Sequence, residues 1–158
     1  MSIKDVNSDI IKKIFSTSKT IAMVGVSSIK PEISTNLKRK PSIIVMKYLQ
    51  EFGYQIIPVN PGAVGKKINK ETAVEKLTDI KKSIDIVNVF RPSEFTPAIA
   101  KDAVKIGAKV LWLQYGIFNE EAKKISTEGN IIYIENKCIK QEYQKLFLKM
   151  NPVFPVLQ

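Results

Sequence analysis

The chain has 158 residues, of which 44% are hydrophobic and 25% are charged, and it carries a formal net charge of +10. It contains one cysteine and no histidine, which excludes an intramolecular disulfide, the usual histidine-containing zinc sites and every Ser-His or Cys-His nucleophile pair. No stretch approaches the ~20 apolar residues of a membrane-spanning helix, and we expect a cytoplasmic protein without an export signal.

Helical and strand patterns alternate in the first half of the chain. Apolar residues recur at helical spacing over residues 7–19, where Asn7 or Ser8 is the candidate cap. An unbroken apolar run over 20–26 predicts a strand covered on both faces. Residues 42–52 predict a helix and residues 54–60 a second strand. The turn-rich segment that follows, up to residue 80, shows only weak periodicity and is left unassigned.

The second half repeats this alternation. Strand patterns occupy residues 84–90, 109–114 and 130–135, and helical patterns occupy 93–106, 119–128 and 141–149. Because short links between strands and helices impose right-handed crossovers, we predict a Rossmann-like α/β fold of three layers. We expect one domain over residues 1–158, with its core at about 9–149, and a five-stranded parallel sheet in the order 3-2-1-4-5.

A phosphate site is expected after the first strand, because ligands of such sheets bind beyond the carboxyl ends of the strands. A glycine there permits a tight turn, serines offer hydrogen-bond donors, and lysines precede a helix start whose free amides favour anions. The candidate residues are Gly25, Ser27, Ser28, Lys30, Lys40 and Ser42. A plain tight turn and a solvated basic loop are the alternatives. The basic run at residues 38–40 has no aromatic residues interleaved with it, so we do not expect nucleic-acid binding.

The ends of the later strands supply further candidate ligand contacts, which are Asn60, Phe90, Arg91, Gln114 and Gly116. An arginine can bind phosphate through two parallel hydrogen bonds, and an aromatic side chain can lie near a base. The amide of Gln114 and the backbone of Gly116 suit a ribose or a pantetheine arm.

Nicotinamide dinucleotides fit the sequence less well. The three-glycine fingerprint of their binding turn is interrupted here by Ser27 and Lys30. The second predicted strand ends in Asn60, where an acidic residue would bind the ribose hydroxyls.

Two side chains have competing interpretations. Trp112 lies within an apolar strand, which favours a packing role. Cys138 is flanked by Lys137 and Lys140, whose charges favour a reactive thiolate, although a buried and inert cysteine is the favoured interpretation.

Six sequence segments in order resemble the small bacterial CoA-binding protein family, single domains related to the CoA-binding domain of succinyl-CoA synthetase. They are residues 21–27, 40–42, 47–62, 85–91, 107–116 and 136–143. The resemblance implies a Rossmann-like fold that holds coenzyme A, with its phosphates near Gly25, Ser27, Lys40 and Ser42. Two features depart from the family pattern. The first loop is longer than usual, through residues 33–39, and Lys137 stands where the family usually has arginine.

We therefore expect a nucleotide-binding protein that holds coenzyme A or an acyl-CoA without catalysing a reaction, with Lys137 among its contacts. The alternatives are a subunit of an acyl-CoA synthetase or ligase whose partner supplies the base, an NAD(P)-binding regulator, and a carrier in which Cys138 forms a mixed disulfide with coenzyme A. Binding of a protein partner and formation of a homo-oligomer are both left open, and no membrane contact is expected.

Overall fold

Helices and strands alternate along the chain largely as the apolar patterns predict. The computed structural model describes residues 6–26 and 41–148. Its strands are β1 (Thr20–Val24), β2 (Gln55–Val59), β3 (Lys67–Ile68), β4 (Glu71–Thr72), β5 (Ile86–Val89), β6 (Val110–Leu113) and β7 (Ile132–Ile134). Its α-helices are α1 (Ser8–Thr17), α2 (Pro41–Glu51), α3 (Thr96–Lys105), α4 (Glu120–Glu128) and α5 (Ile139–Tyr143), and α5 continues as a π-helix over Gln144–Leu148.

The predicted fold class is confirmed. Strands β1, β2, β5, β6 and β7 form one five-stranded parallel sheet, and helices cover both of its faces. Side chains alternate along β1, so that Ile21 and Met23 pack with α1, α2 and α5, whereas Ala22 and Val24 pack with α3 and α4. The strands are mostly apolar because both faces of the sheet are covered, and Asn88 of β5 is a fully buried polar exception.

Asparagine side chains cap two helices, and the first of them is one of the two candidate caps that the sequence offers before α1. Asn7 precedes α1, and its side chain accepts a hydrogen bond from the Ile10 amide at 2.9 Å. Asn119 precedes α4 and accepts from the Ala122 amide at 2.8 Å. Each cap supplies a partner for an amide that the first helical turn leaves free.

The predicted strand order was wrong. The sheet runs β2-β1-β5-β6-β7, which is 2-1-3-4-5 when the five strands are numbered along the chain, rather than 3-2-1-4-5. The outer edge of β2 is already occupied, because Val74 forms a parallel bridge with Val59 and its amide donates to the Pro58 carbonyl at 3.0 Å. The third strand of the sheet therefore pairs with the free edge of β1, where Ile21 lies opposite Ile86.

The segment that the sequence left unassigned forms the cover of that edge. Strands β3 and β4 make a short antiparallel hairpin whose two turn residues, Asn69 and Lys70, have φ angles of 46° and 78°. Two positive φ angles are typical of the type I′ turn, which usually has glycine in one of these places. Because Lys70 stands there instead, the usual sequence signal of the hairpin is absent.

Trp112 has the packing role that the sequence favoured. Its side chain is fully buried, its ring centroid lies 5.6 Å from that of Phe15, and its Nε1 donates to the Lys137 carbonyl at 2.8 Å. Among the described residues, no helix is both long and apolar enough to cross a membrane.

Asp85 joins three chain segments at the amino-terminal edge of the sheet. Its Oδ2 accepts hydrogen bonds from the Lys19 amide at 2.7 Å and the Thr20 amide at 3.1 Å, and its Oδ1 lies 3.2 Å from Lys109 Nζ. Burial alone would raise the pKa of this carboxyl, but the two amides and the lysine together hold the pKa below its ordinary value.

We expect Asp85→Asn to lower the free energy of unfolding by about 1–3 kcal/mol near neutral pH, because the charge-assisted part of these contacts is lost. The folded-state pKa lies below that of the unfolded chain, so the carboxylate contributes fully above about pH 4 and its contribution is lost as the pH falls through the folded-state pKa. Urea unfolding at about pH 7 and about pH 3 should therefore show a difference between variant and parent that shrinks in acid. Asp79→Asn is the matched control, since Asp79 is exposed. An undiminished difference at the lower pH would contradict this assignment.

Candidate functional site

The candidate site lies where the crossovers on either side of β1 diverge. From β1 the chain crosses to β2 on one side, and from β5 it crosses to β6 on the other, so the carboxyl ends of β1 and β5 border a crevice. The Phe90 amide donates to the Val24 carbonyl at 2.8 Å, which holds these two strand ends together. The expected strand order, 3-2-1-4-5, would instead place this point between the first and fourth strands of the sheet, beside Gln114.

Cavity A, of about 340 Å³, opens beside the ends of β1 and β2. Charged residues of both signs line it, as do apolar side chains from the segment before β5 and from α3. The lining residues used below are Gly25, Asn60, Glu75, Lys76, Leu77, Arg91, Phe95, Ile99 and Asp102. Its volume is within the range of small-molecule sites, roughly 300–1,000 Å³.

Arg91 is held over cavity A by its neighbours. The guanidinium carbon lies 4.4 Å from the centroid of the Phe95 ring, a cation–π contact. A Cβ atom built on Gly25 would lie 3.2 Å from the Cγ and Cδ atoms of Arg91. The arginine stem thus fills the space that the missing side chain of Gly25 leaves open.

Asn60 lies in the predicted place, but its side chain is used inside the protein. Its Nδ2 donates to the Val26 carbonyl at 2.6 Å, and its Oδ1 accepts from the Gly62 amide at 2.8 Å. The residue thereby ties the end of β1 to the turn after β2. We infer that it shapes cavity A chiefly by fixing these two turns.

Cavity B, of about 680 Å³, opens next to the ends of β5 and β6. Its lining is more apolar and comes from the first residue of α2, the ends of both strands and the start of α5. The lining residues are Pro41, Phe90, Gln114, Tyr115, Ile117, Cys138 and Gln141. Phe90 lines cavity B and Arg91 lines cavity A, so consecutive residues at the end of β5 serve the two cavities.

A buried amide pair fixes Gln114 at the wall of cavity B. The Gln114 Oε1 atom accepts from Asn88 Nδ2 at 3.1 Å and from the Ile139 amide at 2.9 Å. Only 6% of Gln114 is exposed, and its Nε2 has no hydrogen-bond partner among the described residues. With its oxygen engaged twice, Gln114 retains a fixed donor for a ligand in this cavity.

Comparison with known proteins assigns the family. The model of the family described as CoA binding domain matches residues 19–144. This chain belongs to the CoA-binding domain family. The match covers both cavities and confirms the family that the sequence resembles.

Relatives of this CoA-binding domain occur in bacteria and archaea. YneT of Bacillus subtilis (strain 168) is 42% identical over 133 residues, which are 82% of this chain and 89% of YneT. The structure of cell-free ID.343 from Thermus thermophilus has a TM-score of 0.80 at 32% identity and covers 89% of this chain and 99% of its own. A protein of Pyrococcus horikoshii OT3 has a TM-score of 0.79 at 34% identity, covering 92% and 96% of the two chains.

The fold of the CoA-binding domain gathers five of the predicted site residues at the two cavities. They are Gly25, Asn60 and Arg91 at cavity A and Phe90 and Gln114 at cavity B. Ser42 is buried in the first turn of α2, beside Pro41 of cavity B. Among the described residues, Gly116 and Lys137 are not part of either lining. Ser27, Ser28, Lys30 and Lys40 lie outside the described residues, as does the long first loop at 33–39.

Gly116 and Lys137 act on the site through the backbone instead. The Gly116 amide donates to Asn136 Oδ1 at 2.6 Å, and Gly116 has a φ of 86°. The Lys137 carbonyl accepts from Trp112 Nε1, and its amide donates to the Leu113 carbonyl at 3.3 Å. Both residues hold the end of β6 against the start of α5.

Several lining residues were missed in the sequence. Glu75 and Lys76 come from the unassigned segment, which reaches the site because Val74 pairs with β2. Phe95 and Asp102 belong to the predicted helix after β5, whose apolar periodicity gives no sign of the side that faces the cavity. Cys138 was expected to be buried and inert, but it is half-buried and borders cavity B. In the described parts of the chain, no cluster of three or more Cys, Asp or Glu residues could hold a metal ion.

Gly25→Ala should destabilise the CoA-binding domain more than Gly53→Ala. Both glycines have nearly the same φ, 96° and 95°, so alanine meets the same backbone strain, about 1–3 kcal/mol, in both places. At Gly25 the new methyl group also meets the Arg91 stem, whereas no described atom lies within 4 Å of a Cβ at Gly53. We expect an additional loss on the order of 1 kcal/mol at Gly25, measured by urea unfolding. Equal losses would show that Arg91 moves aside freely.

Proposed function

We propose that this protein binds coenzyme A or an acyl-CoA and does not transform it. The observation that carries the proposal is the pair of cavities on either side of Phe90 and Arg91, one lined by charged groups and the other mainly by apolar ones. Coenzyme A has a matching division, with a phosphorylated adenosine at one end and a pantetheine arm at the other. Membership of the CoA-binding domain family supports this ligand.

The adenosine end fits cavity A. Leu77 and Ile99 offer apolar surface for a base, and the carboxylates of Glu75 and Asp102 can accept hydrogen bonds from hydroxyl or amino groups. Arg91 and Lys76 supply positive charge for a ribose phosphate, and Arg91 can bind it through two parallel hydrogen bonds. Both charge signs therefore have a partner on the same ligand.

The diphosphate would lie between the two cavities. Gly25 lines cavity A at the end of β1, and α2 begins at Pro41 beside cavity B, so the first turn of α2 can face an anion. Contacts from Ser27, Ser28, Lys30 and Lys40 stay predictions of the sequence. The net charge of +10 favours a ligand with several phosphates.

The pantetheine arm fits cavity B. Phe90, Tyr115 and Ile117 offer apolar contact, and the free Nε2 of Gln114 can donate to one of the amide carbonyls of the arm. The chain has no histidine to serve as the commonest general base, which supports a binding role over catalysis.

Titration calorimetry of the full chain with coenzyme A tests the proposal. We expect saturable binding that weakens at least about tenfold in Arg91→Ala, because a charge-assisted phosphate contact contributes about 1.5–3 kcal/mol. Lys123→Ala is the matched control, since it removes the same charge from an exposed position on α4 that lines neither cavity. Its affinity should stay close to that of the parent.

Two results would contradict the proposal. One is the lack of binding of coenzyme A and acetyl-CoA up to about 1 mM by protein shown to be folded. The other is tighter binding of NADH than of coenzyme A, measured by the same titration, which would favour a nicotinamide-dependent regulator.

A further inference from the structure

We propose that cavity B presents Cys138 to the sulfur end of the bound cofactor, and that Cys138 exchanges with a CoA disulfide to form a mixed disulfide. The inference rests on the proposed binding of coenzyme A and adds a covalent step to it. Cys138 is the single cysteine of the chain, it is half-buried, and it borders the cavity assigned to the pantetheine arm.

The backbone on both sides of Cys138 is clamped to the end of β6. The preceding residue, Lys137, donates its amide to the Leu113 carbonyl and accepts from Trp112 Nε1. The following residue, Ile139, is fully buried and donates its amide to Gln114 Oε1. These bonds leave the Cys138 side chain at the cavity wall, packed partly against the core and partly open to the cavity.

Gln114 is the independent sign that cavity B receives a ligand. Its side chain is more than nine-tenths buried, both described bonds fall on its oxygen, and the Nε2 donor is left without a partner among the described residues. A ligand or water in the cavity can accept the hydrogen bond of this donor. A pantetheine carbonyl bound to Nε2 would direct the end of the arm toward the wall that carries Cys138.

The atoms and electrons of the exchange balance, because CoA disulfide is itself the oxidant. The thiolate of Cys138 attacks one sulfur of the CoA disulfide, the disulfide bond of that molecule breaks, and a new bond forms between Cys138 Sγ and the bound CoA sulfur. The second CoA leaves as a thiolate. Tyr115, which is 77% exposed, lies at the rim of the cavity, so the leaving molecule has a path to solvent.

Intact-mass spectrometry under non-reducing conditions tests the exchange in the full chain. With CoA disulfide we expect one CoA adduct per chain, released by dithiothreitol and not formed by Cys138→Ser. Glutathione disulfide should react at least about tenfold more slowly, because it lacks the groups that bind the two cavities and hold the disulfide near the thiol. Arg91→Ala should slow the reaction with CoA disulfide, whereas Lys123→Ala, which changes an exposed residue that lines neither cavity, should not.

Calorimetry with reduced coenzyme A on Cys138→Ser separates the two proposals. Suppose that this variant binds coenzyme A. If the parent then forms no adduct, or if the parent reacts equally fast with CoA disulfide and glutathione disulfide, the proposed exchange is overturned and the binding function stands. If neither parent nor variant binds coenzyme A, both proposals fail. Binding by the variant together with a selective adduct in the parent supports both.

Discussion

The pairing of β1 with β2 on one side and β5 on the other is the constraint on which the rest of the structure depends. It is parallel on both sides, so the turns after all three strands emerge at one edge of the sheet. Gly25 is thereby pressed against the peptide that joins Phe90 to Arg91, with a Cβ position 3.3 Å from the Phe90 carbonyl carbon. That close approach, together with the positive φ of Gly25, favours glycine, and it lies between the two cavities.

The two edges of the sheet use polar groups differently. At the amino-terminal edge, Asp85 is saturated by two backbone amides and Lys109, which makes it a structural group. At the carboxyl edge, Gln114 is saturated only at its oxygen, and the Oδ1 of the fully buried Asn88 has no partner in the described parts of the chain. The donor of Gln114 that is left over at the wall of cavity B is a group that a ligand can satisfy. Under the proposed function, stability and binding would be served by opposite ends of the same strands.

A CoA ligand across both cavities would contact several elements of the fold at once. Cavity A links the end of β2 to α3, and cavity B links α2 to α5. Binding at both would stabilise the folded chain according to the ligand concentration relative to its dissociation constant. Exchange at Cys138 would make that occupancy depend on the ratio of CoA thiol to CoA disulfide, so that a binding protein would also respond to the redox state of its own ligand.

The sequence by itself determined the fold class, because buried parallel strands and capped helices are local patterns that the chain displays in order, as Asn7 and Asn119 illustrate. It also identified Gly25, Phe90 and Arg91 from their positions after strands. Only the tertiary structure decided the strand order, since Val74 covers the edge of β2 through a bridge that no local pattern encodes. Only the tertiary structure likewise placed Lys76 and Cys138 at the cavities. They reach them through strand pairing and backbone hydrogen bonds between segments distant in sequence, and such contacts produce no periodic pattern in the sequence.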